Sequence, residues 1–138
     1  MVPVNEFREE NQEIADLSAV LSTLLTNETI ITNPVVCELF DRFHGKLGAH
    51  LNHEDRAAYG DLLRHSGKDA SKLASEFLEN THELRKIVIR YNRKWCKGKN
   101  EDDMAAFRQE TSDLFGLVQQ RLQLEETKLF PILERARP

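Results

Sequence analysis

The chain has 138 residues, of which 30% are charged, with only six Gly and four Pro. That length suits one domain spanning residues 1–138 with room for a core. Scarce Gly and Pro beside abundant Leu, Glu, Lys and Arg point to helices. The apolar runs are too short to cross a membrane. The opening residues lack a basic stretch followed by an apolar one, and a net charge of -4 speaks against general nucleic-acid binding. The expectation is a cytoplasmic protein with free thiols at Cys37 and Cys96, which lack CxxC spacing.

In the first segment, steps of four and three run through Phe7, Asn11, Ile14, Ser18, Leu21 and Leu25, the period of one helix face. This helix should fray near Asn27. After a loop, Asn33 offers an N-cap and Pro34 the first helical position. The second seam is Val36, Phe40, Phe43, Leu47, His50 and Glu54, and the helix is expected to end at Ser66-Gly67. The third helix should start near Asp69 or Ser71, with seam Leu73, Phe77, Thr81, Leu84, Val88, Tyr91 and Trp95, and stop at Lys97-Gly98. The fourth should start around Glu101 and Asp102. Its seam is Met104, Phe107, Thr111, Leu114, Val118, Arg121 and Glu125, continuing through Leu129 and Ile132. Pro131 should kink or loosen its last turns. Nowhere does the alternation of a strand persist. Four helices on short loops predict an all-α, antiparallel up-down-up-down four-helix bundle.

The seams turn polar at Asn11, His50, Glu54, Thr81, Arg121 and Glu125. An unpartnered charge in a core is costly, so these groups should meet each other or an ion. At a rise of about 1.5 Å per residue, each lies within about 10–25 Å of the same bundle end. One polar layer, fed by every helix, is the expectation.

Two stretches repeat. His50-Leu51-Asn52-His53-Glu54-Asp55, with Tyr59-Gly60 behind it, parallels Arg121-Leu122-Gln123-Leu124-Glu125-Glu126 with Phe130-Pro131 behind it. Asn11-Gln12-Glu13-Ile14 likewise parallels Thr81-His82-Glu83-Leu84. The two helical hairpins look like pseudo-symmetric copies. On these residues the chain resembles the hemerythrin-like (HHE cation-binding) family. Each half of such a protein typically supplies one His from its first helix and a His-x-x-x-Glu pair from its second, often followed by an aromatic-Pro. The resemblance implies that His50 and Glu54 are an intact pair. It also implies that Glu125, with Glu126, Leu129, Phe130 and Pro131, is the tail of the other pair. The cofactor it implies is a pair of irons or another cation, serving oxygen binding, redox or metal sensing.

The departures from that pattern matter. Asn11 and Thr81 stand where the two single His belong, and Arg121 replaces the His of the second pair. Arg has no lone pair for a metal. His82 is one residue from Thr81, rotated about 100° around the helix, and His53 lies beside His50; both are candidates to rescue the site. Two readings stay open for His50, Glu54 and Glu125: a remnant metal site, or a core histidine bonded to carboxylates. For Arg121 the expectation is a guanidinium in the ion's place, bridging Glu54 and Glu125 with bidentate bonds in a network with Asn11 and Thr81. The alternative is a stem that snorkels outward. A metal-free state is preferred over iron.

Arg85, Lys86, Arg90, Arg93, Lys94, Lys97 and Lys99 run with no acid between Leu84 and Asn100. They read either as a docking face for an acidic partner, protein before nucleic acid, or as a solvated helix end. Tyr91 and Trp95 read as core. No nucleophile motif, Gly-rich phosphate loop or HExxH appears, so an enzyme is not expected. A shorter likeness, in Asn80-Thr81 and in Arg121 to Glu126, is to bacterial Rsd/AlgQ-type regulators that bind the primary sigma factor. It implies a metal-free protein-interaction module. The expected function is that of a degenerate hemerythrin-like protein with a small regulatory or sensing role, not an oxygen carrier.

Overall fold

The computed structural model describes residues 3–27, 29, 33–60, 62, 67–95 and 103–135. Four long helices dominate: α1 (Val4–Leu24), α2 (Pro34–Glu54), α3 (Lys68–Lys94) and α4 (Met104–Leu124). Among the described residues there is no strand. No helix among them is long and apolar enough to cross a membrane.

Local chemistry sets the helix starts. The Asn33 side chain accepts a hydrogen bond from the Val35 amide at 2.9 Å, with Pro34 behind it at the first helical position. Asp103 does the same for α4, accepting from the Ala106 amide at 3.0 Å. The expected start at Glu101 and Asp102 lies outside the described residues, as do Ser66, Cys96, Lys97, Gly98 and Lys99. Cys37, expected as a free thiol, is disulfide-bonded.

Both α2 and α4 run on into a single π-helical turn, Asp55–Tyr59 and Glu125–Leu129. After the second, α5 (Phe130–Arg135) completes the chain's last helical stretch. The Phe130 amide donates to the Glu125 carbonyl, five residues back. Pro131 has no N–H to offer, so the wide turn just before it takes up the expected loosening. The matching turn of α2 has no proline beside it and no comparable signal in its residues. Each added residue re-aims the seam. Beyond Glu125 the buried positions become Leu129, Phe130 and Leu133, while Ile132 is only partly covered.

Contacts between helices establish the antiparallel order. Glu13 meets Lys46 and Glu10 meets His50 across α1 and α2. Thr81 meets Arg121 and Lys94 meets Glu110 across α3 and α4. Arg8 reaches Glu134 at one end of the α1–α4 pair, and Arg108 reaches the Leu25 carbonyl at the other.

The core divides into two apolar clusters. The larger includes Ile14, Phe40, Leu47, Leu84, Phe107 and Val118; the smaller includes Phe7, Ala58, Phe77, Leu129 and Phe130. Every long helix passes from one cluster to the other through a polar residue: Asn11, Glu54, Thr81 and Arg121 are all buried at that crossing. A polar layer in an apolar bundle is costly unless its groups satisfy one another.

Candidate functional site

Arg121 is the hub of the layer and one of the largest fully buried side chains. Its Nε donates to Glu125 Oε2 at 2.7 Å. Nη1 donates to Thr81 Oγ1 at 2.8 Å and to Asn80 Oδ1 at 2.9 Å. Nη2 donates to Glu54 Oε1 at 3.2 Å and to the Tyr59 hydroxyl. All five N–H donors of the guanidinium therefore have acceptors. The flat face of the group lies 4.9 Å from the centre of the Phe77 ring, a cation–π contact. The guanidinium does bridge the two carboxyls, but with one bond to each rather than a bidentate fork on either.

His50 ties α1 to the same layer. Its Nδ1 pairs with Glu10 Oε1 at 2.6 Å, and its Nε2 lies 2.9 Å from Glu125 Oε1 and 3.3 Å from Glu54 Oε1. Glu10 also holds His53, from Oε2 to Nδ1 at 2.7 Å. The ligand-type atoms of His50, Glu54 and Glu125 lie within 4.8 Å of one another, and all three residues are buried.

The charges in this layer are divided unequally. Burial, then the charge of Glu125, push the Glu54 carboxyl well above the ordinary carboxylate range. Burial also works against a charge on Glu125, but the hydrogen bond and charge of His50, then the charge of Arg121, outweigh it and hold that carboxyl below its ordinary value. Burial opposes a charged His50, yet bonds to Glu125 and Glu10 raise its imidazole above the ordinary value. The layer thus favours the proton on Glu54 and the negative charge on Glu125, beside Arg121 and His50.

The residues singled out from the sequence fall into two groups. His50, Glu54, Thr81, Arg121 and Glu125 come together. Asn11 is buried at the crossing of α1, but neither end of its amide has a hydrogen-bond partner, so it does not join the Arg121 network. His82 is exposed on α3 and does not turn inward. The side chain of His53 is 30% exposed and faces Glu10 and Glu6, outside the buried cluster. Neither histidine joins the buried cluster in this structure. The sequence reading missed Tyr59, Asn80, Glu10 and Phe77. Tyr59 had a signal, since it holds the aromatic position of the repeat. Glu10 had none, because it lies one residue off the seam of α1.

The basic run of α3 is largely paired within the chain. Arg85 reaches Asn52 and Asp55, Lys86 reaches Glu83, and Lys94 reaches Glu110. Arg90 and Arg93 have no acidic partner among the described residues. Trp95 is buried as expected and donates its indole N–H to Glu110.

A buried layer of His and Glu, built from two pseudo-repeated hairpins of a four-helix bundle, defines the hemerythrin-like class. Residues 2–133 match the hemerythrin HHE cation-binding domain, and the chain belongs to that family. No curated protein and no solved structure matches it. A dinuclear ligand set does not fit these residues. Arg121 and Thr81 are committed to each other where two imidazoles would stand, and Asn11 stands at a third position. Both nitrogens of His50 already face carboxylates.

Proposed function

We propose that this chain is a hemerythrin-like protein whose core works without a metal, with the Arg121 guanidinium in the ion's place. The observation that carries this reading is the complete use of the five guanidinium N–H donors by Glu54, Tyr59, Asn80, Thr81 and Glu125. A cation beside that group would face a fixed positive charge and would have to displace Arg121 from both carboxyls. The role is then regulatory or sensing, carried by surfaces of the bundle in the cytoplasm, not oxygen carriage and not catalysis. The Rsd/AlgQ-type likeness belongs to the same reading, as a metal-free interaction module with Arg90 and Arg93 as its free cations.

One observation favours a second reading. The His50, Glu54 and Glu125 donor atoms converge within 4.8 Å, a compact set for a single ion, iron among the choices. The two readings separate in one experiment. Metal is measured by mass spectrometry on tag-free protein, as isolated and after anaerobic iron loading, with an absorbance spectrum of each. Metal well below one per chain in both samples is the expected result. About one ion per chain would favour the second reading, and about two with oxo-bridge absorption would overturn both the metal-free core and the single-ion alternative.

A further inference from the structure

A surface groove of about 300 Å³ runs between α3 and α4. Its floor is apolar: Ile87, Tyr91, Leu114 and Leu117. Leu117 is 40% exposed, and Leu124, two turns further along the same face of α4, is 37% exposed. The two walls carry opposite charge. Arg90 and Lys94 line the α3 side, while Glu110 and Asp113 line the α4 side. Lys94 and Glu110 close on each other within the chain. One turn further along, Arg90 has no acid and Asp113 has no cation among the described residues; Asp113 only accepts from Gln109.

Helix register places these two free charges at one height. Lys94 lies opposite Glu110, and Thr81 lies opposite Arg121. Arg90 therefore falls level with Asp113, on opposite walls of one apolar floor. A face that carries both signs side by side is poorly matched to a uniformly acidic partner, which would meet Glu110 and Asp113 head-on. It is well matched to itself. Rotation by half a turn about an axis in the face and parallel to the helices preserves height and exchanges the walls, so each cation meets an anion. Rotation about the perpendicular axis in the face would set cation on cation.

We propose that two copies of this chain pair through the α3–α4 groove about a twofold axis parallel to these helices, with Arg90 of each copy on Asp113 of the other. Leu117 and Leu124 supply the apolar contact, and the paired charges select the orientation. This interface does not depend on whether the core binds metal, so either reading of the site can fail without the other.

The test is sedimentation of the full chain over a range of concentrations at low salt. Wild type should shift toward dimer mass as concentration rises, and the shift should weaken in high salt. Arg90→Asp and Asp113→Arg each set like charges together twice in the dimer, so each should raise the dissociation constant at least about tenfold. Mixing the two variants in equal amounts should restore association, because each then meets the complementary wall. Circular dichroism of each variant alone confirms that the fold is intact. Wild type that stays monomeric up to about 1 mM would overturn the proposal. So would a dimer indifferent to both reversals, or a mixture that associates no better than its components. Binding of a fluorescein-labelled amphipathic peptide with a Glu-rich flank to a monomeric chain would show that the groove docks a foreign helix, and would overturn it equally.

Discussion

At the scale of single residues, Glu54 and Glu125 are a matched pair with opposite jobs. Both are fully buried, yet their surroundings push the Glu54 carboxyl above the ordinary carboxylate range and hold that of Glu125 below it, which favours the proton on Glu54. An amide copies a protonated carboxyl far better than a charged one. Glu54→Gln should therefore cost less than about 1 kcal/mol, while Glu125→Gln strands Arg121 and should cost about 3 kcal/mol or more. Arg121→Leu removes the guanidinium from the layer and leaves Glu125 buried with His50 alone beside it, at a cost of about 3–5 kcal/mol. Urea denaturation of the three variants measures these differences. Equal losses for the two Glu variants would mean that the charge is shared rather than assigned to Glu125. That Arg121 would contact Glu54 and Glu125 could be read from the seam, since all three fall on core positions. Which carboxyl keeps the proton could not, because it depends on burial and on His50 and Glu10 approaching from other helices.

At the scale of elements, the second helix shows both what local pattern specifies and what it omits. Its seam from Val36 to Glu54 is buried throughout, and its cap at Asn33 forms as the residue types require. His44 lies off that seam, yet its ring packs among Phe40, Phe43 and Tyr91, with both nitrogens lacking hydrogen-bond partners. Burial holds its imidazole down at about 4, against an ordinary 6.5, with the charge of Asp41 pulling weakly upward. The folded state binds this proton less readily than the unfolded chain. The stabilisation is therefore complete above pH 6.5 and is lost as pH falls toward 4, by up to about 3 kcal/mol. His44→Phe should flatten the fall in melting temperature across that window. A variant whose melting point falls as steeply as that of wild type would show that the ring is not held neutral. The π turns are a second omission. Pro131 announces one of them, and nothing comparable precedes the turn at Asp55–Tyr59.

At the scale of the whole molecule, the polar layer separates two apolar clusters and is contacted by all four long helices. In a bundle that takes a metal at such a layer, ion binding and folding are linked, and removing the ion destabilises the fold. On the metal-free reading proposed above, the Arg121 guanidinium takes that place. The melting temperature should therefore be unchanged by a strong chelator and by added iron. A rise with iron, or a fall with chelator, would show an ion contributing to stability. The same layer holds α1 through Glu10 on His50 and His53, while the Asn11 side chain makes no hydrogen bond.

The sequence by itself determined the four helices, the cap at Asn33, the antiparallel order and the seam residues that turn polar toward the core. These follow from periodicity and residue type, which act along one helix at a time. The likeness between the hairpins also pointed to the family, because a repeat is legible without coordinates. Only the tertiary structure decided how the layer is wired. It placed His82 and His53 outside the buried cluster, left the Asn11 amide without a partner, brought in Tyr59 and Glu10, and set Glu54 and Glu125 in opposite electrostatic surroundings. It also paired Arg85, Lys86 and Lys94 with acids of their own chain and left Arg90 level with Asp113. The reason is physical. A helix face is set by spacing within one segment, whereas a hydrogen bond or a proton's position is set by which atoms from other segments come within about 3 Å in a space closed to water.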